Sequence, residues 1–420
     1  MTAPTTTDPS QPQGASRAAV GFIFVTVLLD MLAFGVIIPV LPNLVKTFQG
    51  GDTVAAANTL GVFNTMWAAM QFVCAPIIGS LSDRFGRRKV ILGSNFGLGA
   101  DFVLMAMAPN LTWLFVGRVL SGMTSASFAT AGAYIADVTP PAQRAAKFGM
   151  LGAAFGIGFI CGPALGGFLA SFNLRAPFWV GAGLCLANAL YGMFVLPESL
   201  PKERRMAFSW KRANPIGSLK LLSRHHELIG LASVMLLYFI AHNSLPAVFV
   251  LYADYRYAWG EQTVGYVLAG VGVCSMIVQM GLVGKVVGWF GERRTLCTGL
   301  LFGATAFAIY GIAPTGMVFL LGIPFGALMG IVGPAMGSLM SRRVSHSEQG
   351  QLQGANGSIM AIAGMLAPAL FTQVFAYGIR PSQTFHMPGA PYLVASAIVV
   401  VSCGVAWVVT RPRESAATAA

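Results

Sequence analysis

Long apolar stretches separated by short polar turns make up most of this 420-residue chain. A helix needs about 20 residues to cross the hydrocarbon core of a bilayer, and the apolar stretches have that length. The sequence lacks the alternating apolar and polar positions of an outer-membrane barrel. The pattern therefore predicts an all-α membrane protein with twelve transmembrane helices, here called spans 1 to 12: 19–41, 57–80, 89–108, 111–136, 144–171, 176–196, 228–252, 262–288, 295–313, 315–341, 349–376 and 390–410.

A displacement of 205 residues relates the first six spans to the last six. The run that begins at Gly79 returns in degraded form at Gly284, and 284 − 79 = 205. The same displacement joins Pro109 to Pro314, Gly117 to Gly322, Gly149 to Gly354, Gly152 to Gly357 and Pro163 to Pro368. Duplicated membrane chains are typical of secondary transporters, whose substrate site lies between the two halves.

Polar segments divide the chain into five predicted parts. Residues 1–18 are rich in Thr, Pro, Gln and Ser and are expected to form a disordered tail. They precede a first half at 19–196, a linker at 197–227, a second half at 228–410 and a short tail at 411–420. The basic linker fits either a solvated connection lying on anionic headgroups or a regulatory, lipid-binding segment.

Composition and charge agree with a membrane location. The chain is 55% hydrophobic and 10% charged, with a mean hydropathy of +0.70, whereas soluble domains are about a quarter charged. The formal net charge of +12 does not require nucleic acid as a partner, because the basic residues fall on alternate loops. This bias places both termini and the linker in the cytoplasm. The basic loops and the C-terminal tail hold Arg84, Arg87, Arg88, Lys89, Arg144, Lys147, Arg293, Arg294, Arg342, Arg343, Arg411 and Arg413, and the opposite loops Lys46, Arg175, Arg256 and Arg380.

Three ionic side chains, Asp30, Asp101 and Arg118, lie well inside the spans. A charge in the hydrocarbon costs about 2.5–3.5 kcal/mol on insertion scales, so such residues are functional by default. An acid at this depth can neutralise itself by taking a proton. We therefore interpret the three as proton-coupling residues; the alternative is a static Asp–Arg pair that holds helices together.

Neutral polar residues inside the spans are candidates for substrate binding. Some such residues line a cavity in transporters, while others make ordinary hydrogen bonds between helices. A histidine is of special interest, because imidazole titrates near physiological pH. The candidates are Asn64, Gln71, His242, Asn243 and Gln279.

Two further groups of residues are candidates for gating. The first, between spans 2 and 3, is either a conformational latch or a basic turn that sets topology. In span 5, glycines at every fourth position and the Gly162-Pro163 kink permit the close packing that a rocking interface between the halves requires, although ordinary packing is the alternative. The gating candidates are Gly79, Asp83, Arg84, Gly86, Arg88, Gly162 and Pro163.

No enzyme chemistry is predicted. No nucleophile–base pair or Gly-x-x-x-x-Gly-Lys-Ser/Thr run is visible, and the six cysteines lack metal-ligand spacing. No resident metal or cofactor is therefore expected.

Several runs together resemble the major facilitator superfamily. Residues 79–88, Gly-Ser-Leu-Ser-Asp-Arg-Phe-Gly-Arg-Arg, match its signature loop, 118–122 resemble its fourth-helix proton-coupling motif, and 158–167 resemble the fifth-helix signature of drug antiporters. From about residue 25 to residue 376 the chain is similar to the TetA-type tetracycline/H⁺ antiporters, including the runs 39–42, 70–72, 133–137, 176–178, 196–199, 291–294 and 350–354.

The resemblance implies roles for matching positions. Asp30 and Asp101 would be the acids of coupled transport, Arg118 their proton-coupling partner, Gln71 a cavity residue, and Asp83 with Arg88 a cytoplasmic gate. Two positions depart from the family, because Gly303 stands where it has a ninth-helix aspartate and Ser275 near its eighth-helix histidine.

We expect a proton-coupled antiporter of the bacterial inner membrane that exports a small amphipathic drug, tetracycline-like or other, by alternating access. It should act as a monomer, driven by the proton gradient, and its substrate could carry chelated Mg²⁺. The alternatives are a proton-coupled importer of the same fold and, more remotely, a non-transporting membrane sensor or scaffold.

Overall fold

The computed structural model describes residues 13–124, 127–140, 143–208, 210, 221–222, 226–345, 348–382 and 386–411. Residues 1–12 and 412–420 of the predicted tails, and part of the predicted linker, therefore lie outside the described residues. Residues 13–18 were expected to belong to a disordered tail, but they form the start of the first helix, Gln13–Ile37.

Every regular element in these residues is a helix. The first half contains α1 (Gln13–Ile37), α2 (Leu41–Phe48), α3 (Thr53–Phe85), α4 (Arg87–Met107), α5 (Leu111–Thr124), α6 (Ser127–Val138), α7 (Arg144–Ala170) and α8 (Ala176–Val195). The second half contains α9 (His226–His242), α10 (Ser244–Tyr257), α11 (Glu261–Ile277), α12 (Val283–Ile312), α13 (Gly316–Leu328), α14 (Val332–Ser341), α15 (Gln349–Gly378) and α16 (Ala390–Val409). Short irregular helical turns lie at Lys202–Arg204, Val278–Leu282 (π) and Met329–Ile331 (3₁₀).

The helices provide the twelve predicted crossings. Within the described ranges, ten helical segments are long and apolar enough to cross a membrane. One of them, Glu261–Ile312, has 52 residues, which is about 78 Å of helix and enough for two crossings. Non-helical backbone at Gly291 divides it into spans 8 and 9. Span 4 is formed by α5 and α6, on either side of residues 125–126. The predicted all-α fold of twelve helices is confirmed.

The backbone preserves the internal repeat. Gly86 and Gly291 are 205 positions apart (291 − 86 = 205), and both have positive φ, 100° and 71°. A glycine is favoured there because other residues rarely adopt this conformation. Ala108 and Ala313, also 205 apart, end their helices with nearly identical dihedrals, φ −53°, ψ 121° and φ −54°, ψ 116°.

The two halves meet along two seams, α3 against α15 and α7 against α11. We call the end of the bundle where α3 gives way to α4 the basic end, after its arginines. Away from it, contact across the seams is close: a Cβ on Gly167 would overlap the Glu261 carbonyl, and Thr65 donates a hydrogen bond to the Met365 carbonyl at 3.1 Å.

Toward the basic end the halves separate. Among the described residues, no atom outside the adjoining backbone lies within 4 Å of a Cβ placed on Gly79, Gly152, Gly284 or Gly357. The buried apolar core divides in the same way. One large cluster joins both halves away from the basic end, whereas a cluster around Tyr134 belongs to the first half alone and another around Val278 to the second. The bundle is thus closed at the far end and open at the basic end.

The glycine stripe of span 5 does not lie between the halves. Gly158, Gly162 and Gly166 pack against Met31, Gly35 and Val36 of α1, within the first half. The neighbouring Gly167 and the Pro163 carbonyl approach α11. Gly162 and Pro163, expected to act together in gating, both pack against Gly35 of α1, and Pro163 also contacts the second half through its carbonyl.

Candidate functional site

Asp101 lies on α4 with 1% of its surface exposed. It packs against α5 so closely that a Cβ on Gly117 would lie 2.9 Å from its Oδ1 atom. The Arg118 guanidinium and the Ser121 hydroxyl are near enough to act on it electrostatically. Neither carboxylate oxygen has a hydrogen-bond partner among the described residues. A buried carboxyl beside one positive charge, without a hydrogen bond among the described residues, is the arrangement expected of an acid that accepts and releases a proton, because burial and the Arg118 charge act in opposite directions on its ionised form.

Arg118 is also buried, and it faces α3. Its Nη2 donates to Asn64 Oδ1 at 3.2 Å, and its guanidinium lies 5.2 Å from the centre of the Trp67 ring. Because α3 forms the seam with α15, Arg118 connects the surroundings of Asp101 to a helix that contacts the other half. Trp67 is a site residue that sequence reasoning missed.

Asp30 has very different surroundings. Asn188 of α8 donates to its Oδ1 at 2.9 Å and also to the Thr26 carbonyl at 3.1 Å. The Asn95 amide of α4, with its nitrogen turned toward Asp30, donates to both carboxylate oxygens at 3.1 and 3.3 Å and accepts from Asn188 at 3.0 Å. These charge-assisted hydrogen bonds favour an ionised carboxylate that holds spans 1, 3 and 6 together.

The two acids therefore differ, although both are buried in the first half. Both carboxyl groups lie near enough to Cys185 of α8 to act on its thiol electrostatically. Asp30 is held by amide donors from two neighbouring helices, whereas Asp101 lies beside Arg118, and their roles stay predictions. Asn95 and Asn188 were visible in the sequence as polar residues inside spans, but nothing in their spacing pointed to Asp30.

The candidate substrate residues occupy three places. Asn64 is bonded to Arg118, and half-buried Gln71 lies two turns further along the same helix. The His242 side chain is accessible to solvent but lies inside the bundle, as a residue on the wall of a cavity does. The centre of its ring lies 5.8 Å from the centre of the Tyr238 ring. Asn243 donates to the Phe239 carbonyl at 2.7 Å, at the break between α9 and α10.

Gln279, the fifth candidate, lies in the π turn of span 8. Its Nε2 atom is 4.0 Å from a Cβ placed on Gly330, which belongs to the 3₁₀ turn of span 10. The two irregular turns therefore meet, and irregular backbone at membrane depth is tolerated where it borders a cavity. Gly303 is buried near this place, against the Met329 side chain.

The loop at the basic end is held by Arg87 rather than by the expected Arg88. Arg87 pairs with Asp83 at 2.7 Å and with Asp137 at 3.0 Å. Its backbone N–H donates to Glu198 at 2.8 Å. Glu198 also lies against Gly86, where any Cβ would overlap it.

The other loop residues have lesser or different contacts. Arg88 donates to the Met193 carbonyl at the end of α8. Arg84 is exposed and lies over the Phe85 ring, 5.1 Å from its centre. Within the part of the chain that the structure describes, the polar contacts of Asp83, Arg87 and Arg88 stay inside the first half and the linker. The loop therefore makes no polar contact with the second half among the described residues, and its role as a latch stays a prediction.

Polar contacts between the halves lie at the far end instead. Lys46 of α2 pairs with Asp254 of α10 at 2.5 Å. Asn43 donates to Glu261 Oε1 at 2.9 Å. These contacts close the end of the bundle that is away from the arginines.

Fold and site together define a membrane transporter of two six-helix halves, with a buried acid in the first. The chain belongs to the Major Facilitator Superfamily, whose profile matches residues 23–368. Transporters of this superfamily are membrane-embedded, carry small molecules and are in general not enzymes.

Similar proteins agree with this assignment. The tetracycline resistance protein, class C, of Escherichia coli is 33% identical over 386 residues, covering 92% of this chain and 96% of that protein. The class B protein of Escherichia coli is 34% identical over 358 residues, covering 84% and 88%. The crystal structure of the nucleoside transporter NupG has the same fold, with a TM-score of 0.76 at 12% identity over 94% of this chain and 100% of that one.

Proposed function

We propose that this protein exports a small amphipathic drug from the bacterial cytoplasm in exchange for protons. Similarity to tetracycline resistance proteins over most of the chain supports a drug as cargo. The basic loops support a cytoplasmic location for the basic end and for both termini. One chain is the transporting unit, driven by the proton gradient without a resident cofactor.

The observation that carries the proposal is Asp101, a buried acid that lies beside Arg118 and whose oxygens make no hydrogen bond among the described residues. When Asp101 is ionised, its charge attracts the Arg118 guanidinium, and protonation removes that attraction. The contacts of Arg118 that remain in the described structure are then those with Asn64 and Trp67 of α3. Because α3 lies on a seam, the proton changes the balance of contacts at the interface between the halves.

Alternating access follows from the two ends of the bundle. With the basic end open, a drug enters from the cytoplasm and meets the walls that carry Gln71, His242 and Gln279. The opposite state requires the far end to part, which breaks the Lys46–Asp254 and Asn43–Glu261 contacts. Asp83 is then available, at the closing basic end, to engage the second half.

The cargo is tetracycline-like or another amphipathic drug of similar size. A drug that travels as a Mg²⁺ chelate is cationic, and a carboxylate in the second half would favour it. Gly303 and Ser275 provide no charge there. We therefore infer a preference for neutral or weakly acidic drugs, with weak tetracycline export that depends little on Mg²⁺.

A susceptibility panel in an efflux-deficient host, followed by transport in inverted vesicles, tests the function. We expect resistance to at least one amphipathic drug and proton-dependent uptake into inverted vesicles, both lost in Asp101→Asn. Proton-driven uptake into right-side-out vesicles would instead identify an importer. The absence of any transport, with the protein inserted normally, would favour a sensor or scaffold.

A further inference from the structure

A cavity of about 460 Å³ lies where the α3–α15 seam ends, away from the basic end. It is lined by Asn58, Gln373, Val374, Tyr377, Arg380 and Ala390, which come from both halves. None of these residues belongs to the proton or substrate site described above. Four of them are polar or charged, so the cavity is suited to a ligand with a polar head.

The polar residues continue an exposed apolar stripe on α15. Leu366 and Leu370 are 53% and 38% exposed, and Gln373, Tyr377 and Arg380 follow at helical spacing on the same face. On α3, exposed Asn58 lies near the start of the helix, and exposed Val62 lies one turn further into the membrane on the same face. On both helices, therefore, the exposed residues are apolar deep in the membrane and polar near the helix end.

This face points away from the proton site. On α3, helical periodicity places Asn58 and Val62 roughly opposite Asn64 and Trp67, which contact Arg118. The exposed face is thus on the lipid side of the seam, where amide groups are unfavourable unless they meet polar partners. Gln373 lies five residues, or about 8 Å, inside the end of α15, a depth that glycerol esters can reach.

Arg380 provides the charge. Within the described ranges its side chain forms no ion pair or hydrogen bond with protein. Arginine binds phosphate through paired N–H donors, and Tyr377 adds a hydroxyl of the kind found at membrane interfaces. A ligand with a phosphate at the top, esters below it and acyl chains beneath matches the order of residues along the stripe.

We propose that an anionic glycerophospholipid of the leaflet opposite the basic end binds at this seam, with its phosphate on Arg380 and an acyl chain along Leu366 and Leu370. The lipid contacts both halves where they touch. It therefore stabilises the state that is closed at the far end and must leave, or shift, when that end opens.

Photolabelling of the full-length protein tests this site. The protein is placed in phosphatidylcholine nanodiscs with a small fraction of phosphatidylglycerol that carries a photoreactive acyl chain, and labelled peptides are mapped by mass spectrometry. We expect labelling between Leu366 and Leu370, reduced about fivefold by Arg380→Gln, since one basic residue contributes about 1 kcal/mol to anionic lipid binding. Arg380→Lys, which keeps the charge, should retain most of the label.

Controls separate this site from general attraction. Arg294→Gln removes one exposed charge at the basic end and should leave the label unchanged. Equal labelling by a photoreactive phosphatidylcholine, or unchanged labelling in Arg380→Gln, would overturn the proposal. Loss of the label in excess inorganic phosphate would identify a site for free anions and would overturn the lipid as ligand.

Discussion

The two halves of this protein share a backbone arrangement, but they differ in which of their buried residues carry charge. Displacement by 205 residues carries Asp30 to Met235, Asp101 to Ala306 and Arg118 to Ile323. All six positions are buried. The fold therefore does not require charge at these places, and the buried ionic groups of the first half have a reason beyond packing.

A second comparison, at the basic end, shows the opposite behaviour. Arg87 pairs with Asp137 at 3.0 Å in the first half, and Glu292 pairs with Arg342 at 2.7 Å in the second. The positions correspond, since 292 − 87 and 342 − 137 both equal 205. Here the pairing is retained while the signs are exchanged. The pair tolerates either polarity, whereas the intramembrane charges are confined to one half.

The largest effect is expected at Asp101. Asp101→Asn removes the ionisable group at nearly constant volume, so proton-coupled transport in vesicles should be abolished while expression and membrane insertion persist. Ala306→Ser, at the corresponding position of the second half, is the matched control and should transport normally. Proton-driven transport by Asp101→Asn would remove Asp101 from the coupling mechanism.

The next prediction transfers a carboxylate to the second half. Gly303→Asp should strengthen binding of the Mg²⁺–tetracycline chelate. A charged contact of about 1–3 kcal/mol corresponds to about 5- to 150-fold in affinity, and we expect a gain within this range. The gain should be partial, because a Cβ at this position overlaps Met329, and larger when Met329→Ala makes room.

Binding measured with and without Mg²⁺ checks this prediction, with Gly303→Asn as the neutral control. Strong Mg²⁺-dependent tetracycline export by the unmodified protein would show that the carboxylate is dispensable.

A smaller effect should separate the two acids of the first half. Asp30→Asn replaces a charged acceptor of hydrogen bonds from Asn95 and Asn188, each typically worth about 1.5–3 kcal/mol. Its thermal unfolding temperature in detergent should therefore fall. Asp101→Asn breaks no hydrogen bond seen among the described residues, but it removes the attraction to Arg118, so its unfolding temperature should fall by less than that of Asp30→Asn. Equal stability of the two variants would contradict the distinction drawn between them.

The smallest effect concerns the pair at the basic end. Arg87→Glu places a negative charge beside Asp83 and Asp137 and should slow transport. Arg87→Glu combined with Asp137→Arg copies the polarity of the second half and should recover much of the rate. The expected coupling is about 1 kcal/mol, because the pair is partly exposed. Additive losses in the two single variants and the double variant would show that the pair does not act as a unit.

Much of this protein could be predicted from sequence because the signals are local. The length of apolar stretches specifies crossings, since hydrocarbon thickness sets a minimum helix length. The 205-residue displacement predicted two related halves, and Gly86 and Gly291 share their unusual backbone as a result. The cost of intramembrane charge singled out Asp30, Asp101 and Arg118 without any knowledge of their neighbours.

Tertiary structure decided what those residues contact. Sequence could not show that Asn95 and Asn188 meet Asp30, whereas the Asp101 oxygens make no hydrogen bond within the described part of the chain. Nor could it show that Arg87 rather than Arg88 holds Asp83. It also could not show that the glycines of span 5 face α1. The physical reason is that such contacts depend on the rotation and tilt of helices far apart in the chain. Periodicity places residues on one face of a helix, but packing selects the helix that this face meets.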